Sequence, residues 1–213
     1  MPGLKLHNGD TVVFAGDSIT DCGRMQNPPL GYGYVYIFNN LILAKHPGIK
    51  VNVVNAGVSG DTVIELKSRW EDDVLSFSPD WISILIGIND IHRMLSGQQG
   101  YDAENYYRNY RDILTLTKKK CESVKFILLT PFYVSKAATE NTHRKRVLET
   151  IPKYIEKVKQ LSEEFSAIFI DLHAMFQSML IYREPVVYAP EAVHPNFAGH
   201  TAIALAILNV LES

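Results

Sequence analysis

Thr11-Val12-Val13-Phe14-Ala15-Gly16-Asp17-Ser18-Ile19-Thr20 (TVVFAGDSIT) decides how this chain folds. Its first five residues are apolar or β-branched without a break, as in a strand buried on both faces of a parallel sheet. Gly16 lets the backbone leave that strand sharply. Asp17 and Ser18 then stand at the strand's carboxyl end, the edge where open α/β sheets bind ligands. Taken alone, Asp17-Ser18 reads first as the cap of a following helix, and only second as a hydroxyl presented for chemistry. The rest of the chain decides between the two.

Outward from this stretch, strand and helix signals alternate. Tyr34 to Lys45 is an apolar-periodic helix stopped by His46-Pro47-Gly48. Val51 to Asn55 is a second strand ending in Ala56-Gly57-Val58-Ser59-Gly60, and Asp61 or Thr62 caps a helix running through Val74. Trp81 to Ile86 forms a third strand, running into Gly87-Ile88-Asn89-Asp90 and a loop to Gly100. A helix over Ala103–Lys119 follows, then a fourth strand over Lys125–Thr130 and a polar loop from Pro131 through Thr142. Arg144 to Phe165 is a long amphipathic helix that Pro152 should kink or restart. Ala167 to Asp171 is a fifth strand, and a short helix, a loop over Tyr182–Pro195 and a closing helix over Asn196–Leu211 complete the chain. Strands alternating with helices predict an α/β fold, a parallel sheet covered on both faces. No linker or repeat divides the sequence, so 1–213 reads as a single three-layer domain.

The totals narrow the function. With 213 residues, 46% of them hydrophobic, the chain can bury one large core. A net charge of −2 with well-mixed signs offers no basic field to nucleic acid. The densest basic run, Lys118-Lys119-Lys120, falls where a helix ends and its dipole favours cations. Cys22 and Cys121 form neither a disulfide framework nor a metal-ligand pattern. Cys22 reads as a small packed side chain near Ser18. No apolar run approaches the ~18 residues of a membrane span, and MPGLKLHNGD lacks the apolar core of a signal peptide. The expectation is a soluble cytoplasmic protein.

Three strand ends are now alike, with Ser18 following the first, Gly57 closing the second and Asn89 following the third. Parallel strands finish at one edge, so these residues can converge. Near the C-terminus, Glu191-Ala192-Val193-His194-Pro195-Asn196 adds a carboxylate and an imidazole three residues apart. A serine hydroxyl needs a base within hydrogen-bond reach, and a histidine base needs a partner to fix its tautomer. The N–H groups of Ser18 and Gly57, with the Asn89 amide, are suitable donors to the oxyanion of acyl transfer. Each residue has an ordinary role as well: a turn glycine, an Asx turn, a helix cap. Their joint arrangement at the strand ends favours the chemical reading.

In four blocks the chain resembles the SGNH hydrolases, the GDSL-type esterases and lipases: AGDSIT (Ala15–Thr20), NAGVSG (Asn55–Gly60), IGIND (Ile86–Asp90) and VHPNFAGH (Val193–His200). The resemblance implies Ser18 as nucleophile, His194 as general base, and Ser18, Gly57 and Asn89 as the oxyanion hole. It also implies a flavodoxin-like α/β/α sandwich with a five-stranded parallel sheet in order 2-1-3-4-5, and neither metal nor cofactor. The family usually has Asp three residues before the histidine; here Glu191 stands there. Its extra methylene changes the reach, and Asp171 at the end of the fifth strand is the fallback, though a helix cap suits it better.

GDSITDCGR (Gly16–Arg24), GYGYV (Gly31–Val35) and RWEDDV (Arg69–Val74) are most similar to intracellular acetyl xylan esterases. The resemblance implies a small acyl ester substrate, O-acetyl groups on xylo-oligosaccharides. Tyr32, Tyr34 and Trp70 can stack on sugar faces, or serve as core or contacts of a homo-oligomer. Ile91-His92-Arg93 and Ala189-Pro190 flank the expected acyl pocket. A lysophospholipase or thioesterase of the same superfamily is the rival enzyme, against which the polar run Ser96–Gly100 argues. A binding module that has lost turnover through Glu191 is the rival of another class. His194 and His200 are six apart, the wrong spacing for paired zinc ligands.

Overall fold

The structure, a computed structural model, describes residues 3–136 and 142–213. The middle of the loop expected after Pro131 lies outside those residues. Five parallel strands form one sheet in the order β2-β1-β3-β4-β5: β1 Thr11–Gly16, β2 Asn52–Gly57, β3 Trp81–Leu85, β4 Lys125–Leu129 and β5 Ile168–Ile170. β1 pairs with β2 from Thr11↔Asn52 to Gly16↔Gly57 and with β3 from Val12↔Trp81 to Gly16↔Leu85. Gly16 therefore lies level with the ends of both neighbours. Strand order and fold class are those expected.

The order also sorts the helices. The chain moves from β1 to β2 in one direction across the sheet and then reverses, so right-handed crossovers put the connecting helices on opposite faces. On one face α2 (Tyr34–Lys45) packs against α9 (Phe197–Leu211). On the other, α3 (Val63–Ser68), α6 (Ala103–Lys120) and α7 (His143–Glu164) pack on one another. Phe14, Phe38, Tyr34, Trp70, Tyr106 and Tyr154 are fully buried in the continuous core between these layers. The Trp70 indole N–H donates to Thr117 Oγ1 at 2.8 Å, so the largest core ring is also satisfied. Tyr34 and Trp70 are thus core residues, out of reach of a sugar, whereas Tyr32 is 57% exposed.

Several details differ from the sequence reading. β2 starts one residue later and runs two further, through Gly57. The helix expected through Val74 breaks at Arg69 into α3 and α4 (Trp70–Asp73). Thr62 rather than Asp61 caps α3, in a capping box with Glu65. The segment after Asn89 is a helix, α5 (Ile88–Leu95), where a loop was expected; Ile88, Ile91 and Leu95 recur at helical spacing and face the core, an apolar stripe too short to stand out among its polar residues. α7 passes through Pro152 as a single helix, without a restart.

Candidate active site

At the carboxyl edge of the sheet, β1 hands over to the single turn α1 (Ser18–Asp21). Asp17 caps that turn, its carboxylate accepting the Ile19 N–H at 3.0 Å. Ser18, the first residue of α1, points its hydroxyl at the loop before α9, and Ser18 Oγ lies 2.8 Å from His194 Nε2. The other imidazole nitrogen, Nδ1, hydrogen-bonds Glu191 Oε1. Glu191 also accepts the Val193 N–H (2.9 Å) and the His194 N–H (2.9 Å). The longer acid therefore folds back onto its own turn and still meets the ring. Partial burial would raise the Glu191 carboxyl, but the Val193 N–H, the His194 ring and the His194 N–H outweigh it and hold the group below its ordinary range. An ionised carboxylate on Nδ1 puts the ring proton there and leaves Nε2 as an acceptor for the serine proton. Asp171, the fallback, is a cap: it accepts the Ala174 N–H of α8 (Leu172–Met179) at 2.9 Å.

Of the expected oxyanion donors, Asn89 stands at the start of α5 with one amide hydrogen donated to the Asp61 carbonyl at 2.9 Å. Among the described residues its second hydrogen has no acceptor. Gly57 does not fit the part expected of it. Its N–H donates to Asn55 Oδ1 at 2.9 Å, and a Cβ on it would lie 2.2 Å from the Asp21 nitrogen. Glycine is required at this position because α1 rests directly on β2. Gly60, three residues on, has φ +88° and open space around its α-carbon. Among the described residues nothing accepts its N–H, and it directly precedes the Asp61 carbonyl that holds Asn89.

Several supporting residues escaped the sequence reading. Asn55 donates to the Thr20 carbonyl (2.8 Å) and the Leu30 carbonyl (2.9 Å), tying α1 to β2. Arg69, at the break between α3 and α4, reaches four acceptors: Asp61 Oδ2 at 2.7 Å, the Ala56 carbonyl at 2.9 Å, the Gly16 carbonyl at 3.2 Å and Asp73 Oδ2 at 3.3 Å. It cross-links the ends of β1 and β2. Asp90, fully buried, accepts the Val63 N–H with both oxygens at 3.2 Å and so joins α5 to α3. Desolvation pushes the carboxyls of Asp17 and Asp90 up to about 7. Both residues stand in quoted blocks, Arg69 opening RWEDDV and Asp90 closing IGIND, but nothing local marked what either one bonds.

His200, in α9, is also buried. Its Nδ1 accepts the Tyr34 N–H at 3.2 Å, and its Nε2 lies 3.4 Å from Cys22 Sγ. Burial pushes the ring down to about 4, so it is neutral and structural. Cys22 is thus a partly buried partner of His200. Among the described residues no group of three or more His, Cys, Asp or Glu is arranged to hold a metal, and no helix is long and apolar enough to cross a membrane.

A doubly wound parallel sheet with a hydroxyl, an imidazole and a carboxylate in series at its carboxyl edge defines a carboxylic ester hydrolase. The chain belongs to the GDSL-like Lipase/Acylhydrolase family, whose model matches residues 14–202. It is 37% identical over 215 aligned positions to an acetylxylan esterase of Geobacillus stearothermophilus, covering 96% of this chain and 95% of that protein. The crystal structure of that esterase superposes with a TM-score of 0.85, covering 98% of this chain and 96% of that one. A GDSL-like lipase structure from Parabacteroides merdae superposes with a TM-score of 0.88 at 31% identity, covering 99% of each chain. Structures of the Geobacillus esterase described as catalytic mutants replace a serine, an aspartate and a histidine by alanine. In the present chain the carboxylate on the His194 ring is that of Glu191.

Proposed function

We propose that the protein removes O-acetyl groups from xylo-oligosaccharides through an acyl-enzyme on Ser18. His194 Nε2 takes the hydroxyl proton as Ser18 Oγ attacks the ester carbonyl carbon. Glu191 holds the ring in the required tautomer and stabilises the imidazolium that forms. The negative charge gathers on the carbonyl oxygen, where the N–H groups of Ser18 and Gly60 and the free amide hydrogen of Asn89 receive it. Gly60 replaces Gly57 in this reading because the Gly57 N–H is already engaged by Asn55. Collapse breaks the bond to the sugar oxygen, which leaves with the proton from His194. Water, deprotonated by His194, then attacks the acetyl-serine and releases acetate while Ser18 Oγ recovers its proton.

The observation that carries the reading is the 2.8 Å separation of Ser18 Oγ and His194 Nε2. The acetyl and xylo-oligosaccharide preferences follow the Geobacillus relative. Two unpaired cysteines, Cys22 and Cys121, suit a reducing compartment such as the cytoplasm. Acetate release from acetylated xylo-oligosaccharides, with nitrophenyl esters of increasing acyl length beside it, tests the proposal. Acetate release and a preference for the two-carbon ester are expected. A preference for long acyl chains would move the protein to the lysophospholipase or thioesterase class, and equal inertness of wild type and Ser18→Ala on every ester would make it a binding module.

A further inference from the structure

Beside the triad lies a cavity of about 770 Å³, within the size range of small-molecule sites. Glu191 is part of its wall, together with Val134, Lys136, Arg144, Glu184 and Ala189. The cavity therefore adjoins the Ser18–His194–Glu191 chain through Glu191. Its charges are unequally matched. Lys136 Nζ is 2.6 Å from Glu184 Oε1, a closed ion pair. Both oxygens of Glu191 are engaged by its own turn and by His194. That leaves Arg144, which has no carboxylate partner among the described residues.

Arg144 does nothing for its own helix. α7 opens His143-Arg144-Lys145-Arg146 with no acidic residue in its first turn, and cations are disfavoured at that end of a helix. A guanidinium kept there without a carboxylate partner among the described residues, on the wall of a cavity that shares Glu191 with the site, has the chemistry of a carboxylate receptor.

We propose that this cavity is a subsite for a carboxylate-bearing sugar, with Arg144 as its anchor. The preferred substrate is then an acetylated oligosaccharide carrying a uronic acid near the acetyl group. The inference rests on the deacetylase reading and specifies which oligosaccharides that site takes.

The test compares acetylated xylo-oligosaccharides with and without a uronic acid branch, using wild type, Arg144→Gln and Arg144→Lys. Nitrophenyl acetate, which leaves the cavity empty, is the control. Arg144→Gln should raise KM for the uronate-bearing substrate roughly tenfold with kcat unchanged. KM for the neutral oligosaccharide and turnover of nitrophenyl acetate should stay as in wild type. Arg144→Lys should recover part of the loss, because it keeps the charge but not the planar fork. Equal shifts on both oligosaccharides, or a shift on neither, would overturn the subsite while leaving the deacetylase intact. Nitrophenyl acetate turnover with no acetate released from either oligosaccharide would instead remove the deacetylase reading, and this inference with it.

Discussion

The Ser18 hydroxyl lies 2.8 Å from Nε2 of His194, although 176 positions separate them in the chain. The sheet accounts for this proximity: β1 is central, and the loop leading into α9 returns to its carboxyl edge. Ser18→Ala and His194→Ala should each lower kcat on nitrophenyl acetate by roughly 10⁴–10⁶-fold, with little change in thermal midpoint. The double variant should be scarcely worse than either single one, because the two groups act as a unit. Additive losses in the double variant would mean that they act separately.

Glu191 is built into its own turn by the N–H groups of Val193 and His194. Glu191→Gln keeps much of that geometry but removes the charge that fixes the Nδ1 proton. Turnover should fall about 10²–10⁴-fold while the far-ultraviolet spectrum is unchanged. An undiminished rate would take Glu191 out of the triad.

The two glycines of the second block separate by phenotype. Gly57→Ala places a methyl 2.2 Å from the Asp21 nitrogen, so it should destabilise the fold, read as a lowered urea midpoint. Gly60→Ala meets open space but must hold φ +88°, which costs about 1–2 kcal/mol. It should remain folded and lose about 10–100-fold in kcat with KM nearly constant, as expected when an oxyanion donor is displaced.

Arg69 joins β1 to β2 through the Gly16 and Ala56 carbonyls and pairs with the carboxylates of Asp73 and of buried Asp61. Arg69→Ala leaves the Asp61 carboxylate without its partner and should cost about 3 kcal/mol in denaturant unfolding. Arg69→Lys should rescue little, since one ammonium cannot span all four acceptors. A loss below about 1 kcal/mol for Arg69→Ala would show that the cross-link is dispensable.

Asp90 makes a pH signature. Its carboxyl is raised from 3.8 to about 7 by burial, as is that of Asp17. The folded state therefore binds protons more tightly than the unfolded one between those values. The stability this supplies is complete below about pH 4 and is lost as pH rises through about 7. His200, lowered from 6.5 to about 4, runs the other way and loses its contribution as pH falls through that range. Asp90→Asn should match wild type near pH 4 and exceed it in urea midpoint at pH 8. A constant difference across that range would exclude the linkage.

The sheet was legible because each strand is a short apolar run; the first three end in glycine-bearing turns, two of which also hold Ser18 and Asn89. The choice of oxyanion glycine changes for a physical reason. Gly57 and Gly60 belong to the same turn, and only three-dimensional contact shows that one packs against Asp21 while the other faces open space. α5 escaped because its polar residues satisfy tertiary partners: Asn89 the Asp61 carbonyl, and Asp90 the Val63 N–H. Arg69 escaped for a similar reason, since two of its acceptors are the Ala56 and Gly16 carbonyls at the ends of β2 and β1.

Glu191 and His194 sit in one four-residue turn, with the carboxylate gripping the amides of that same turn. The imidazole's two contacts are therefore of different kinds: the one to Glu191 is internal to the turn, whereas the one to Ser18 depends on where the whole loop is seated against α1.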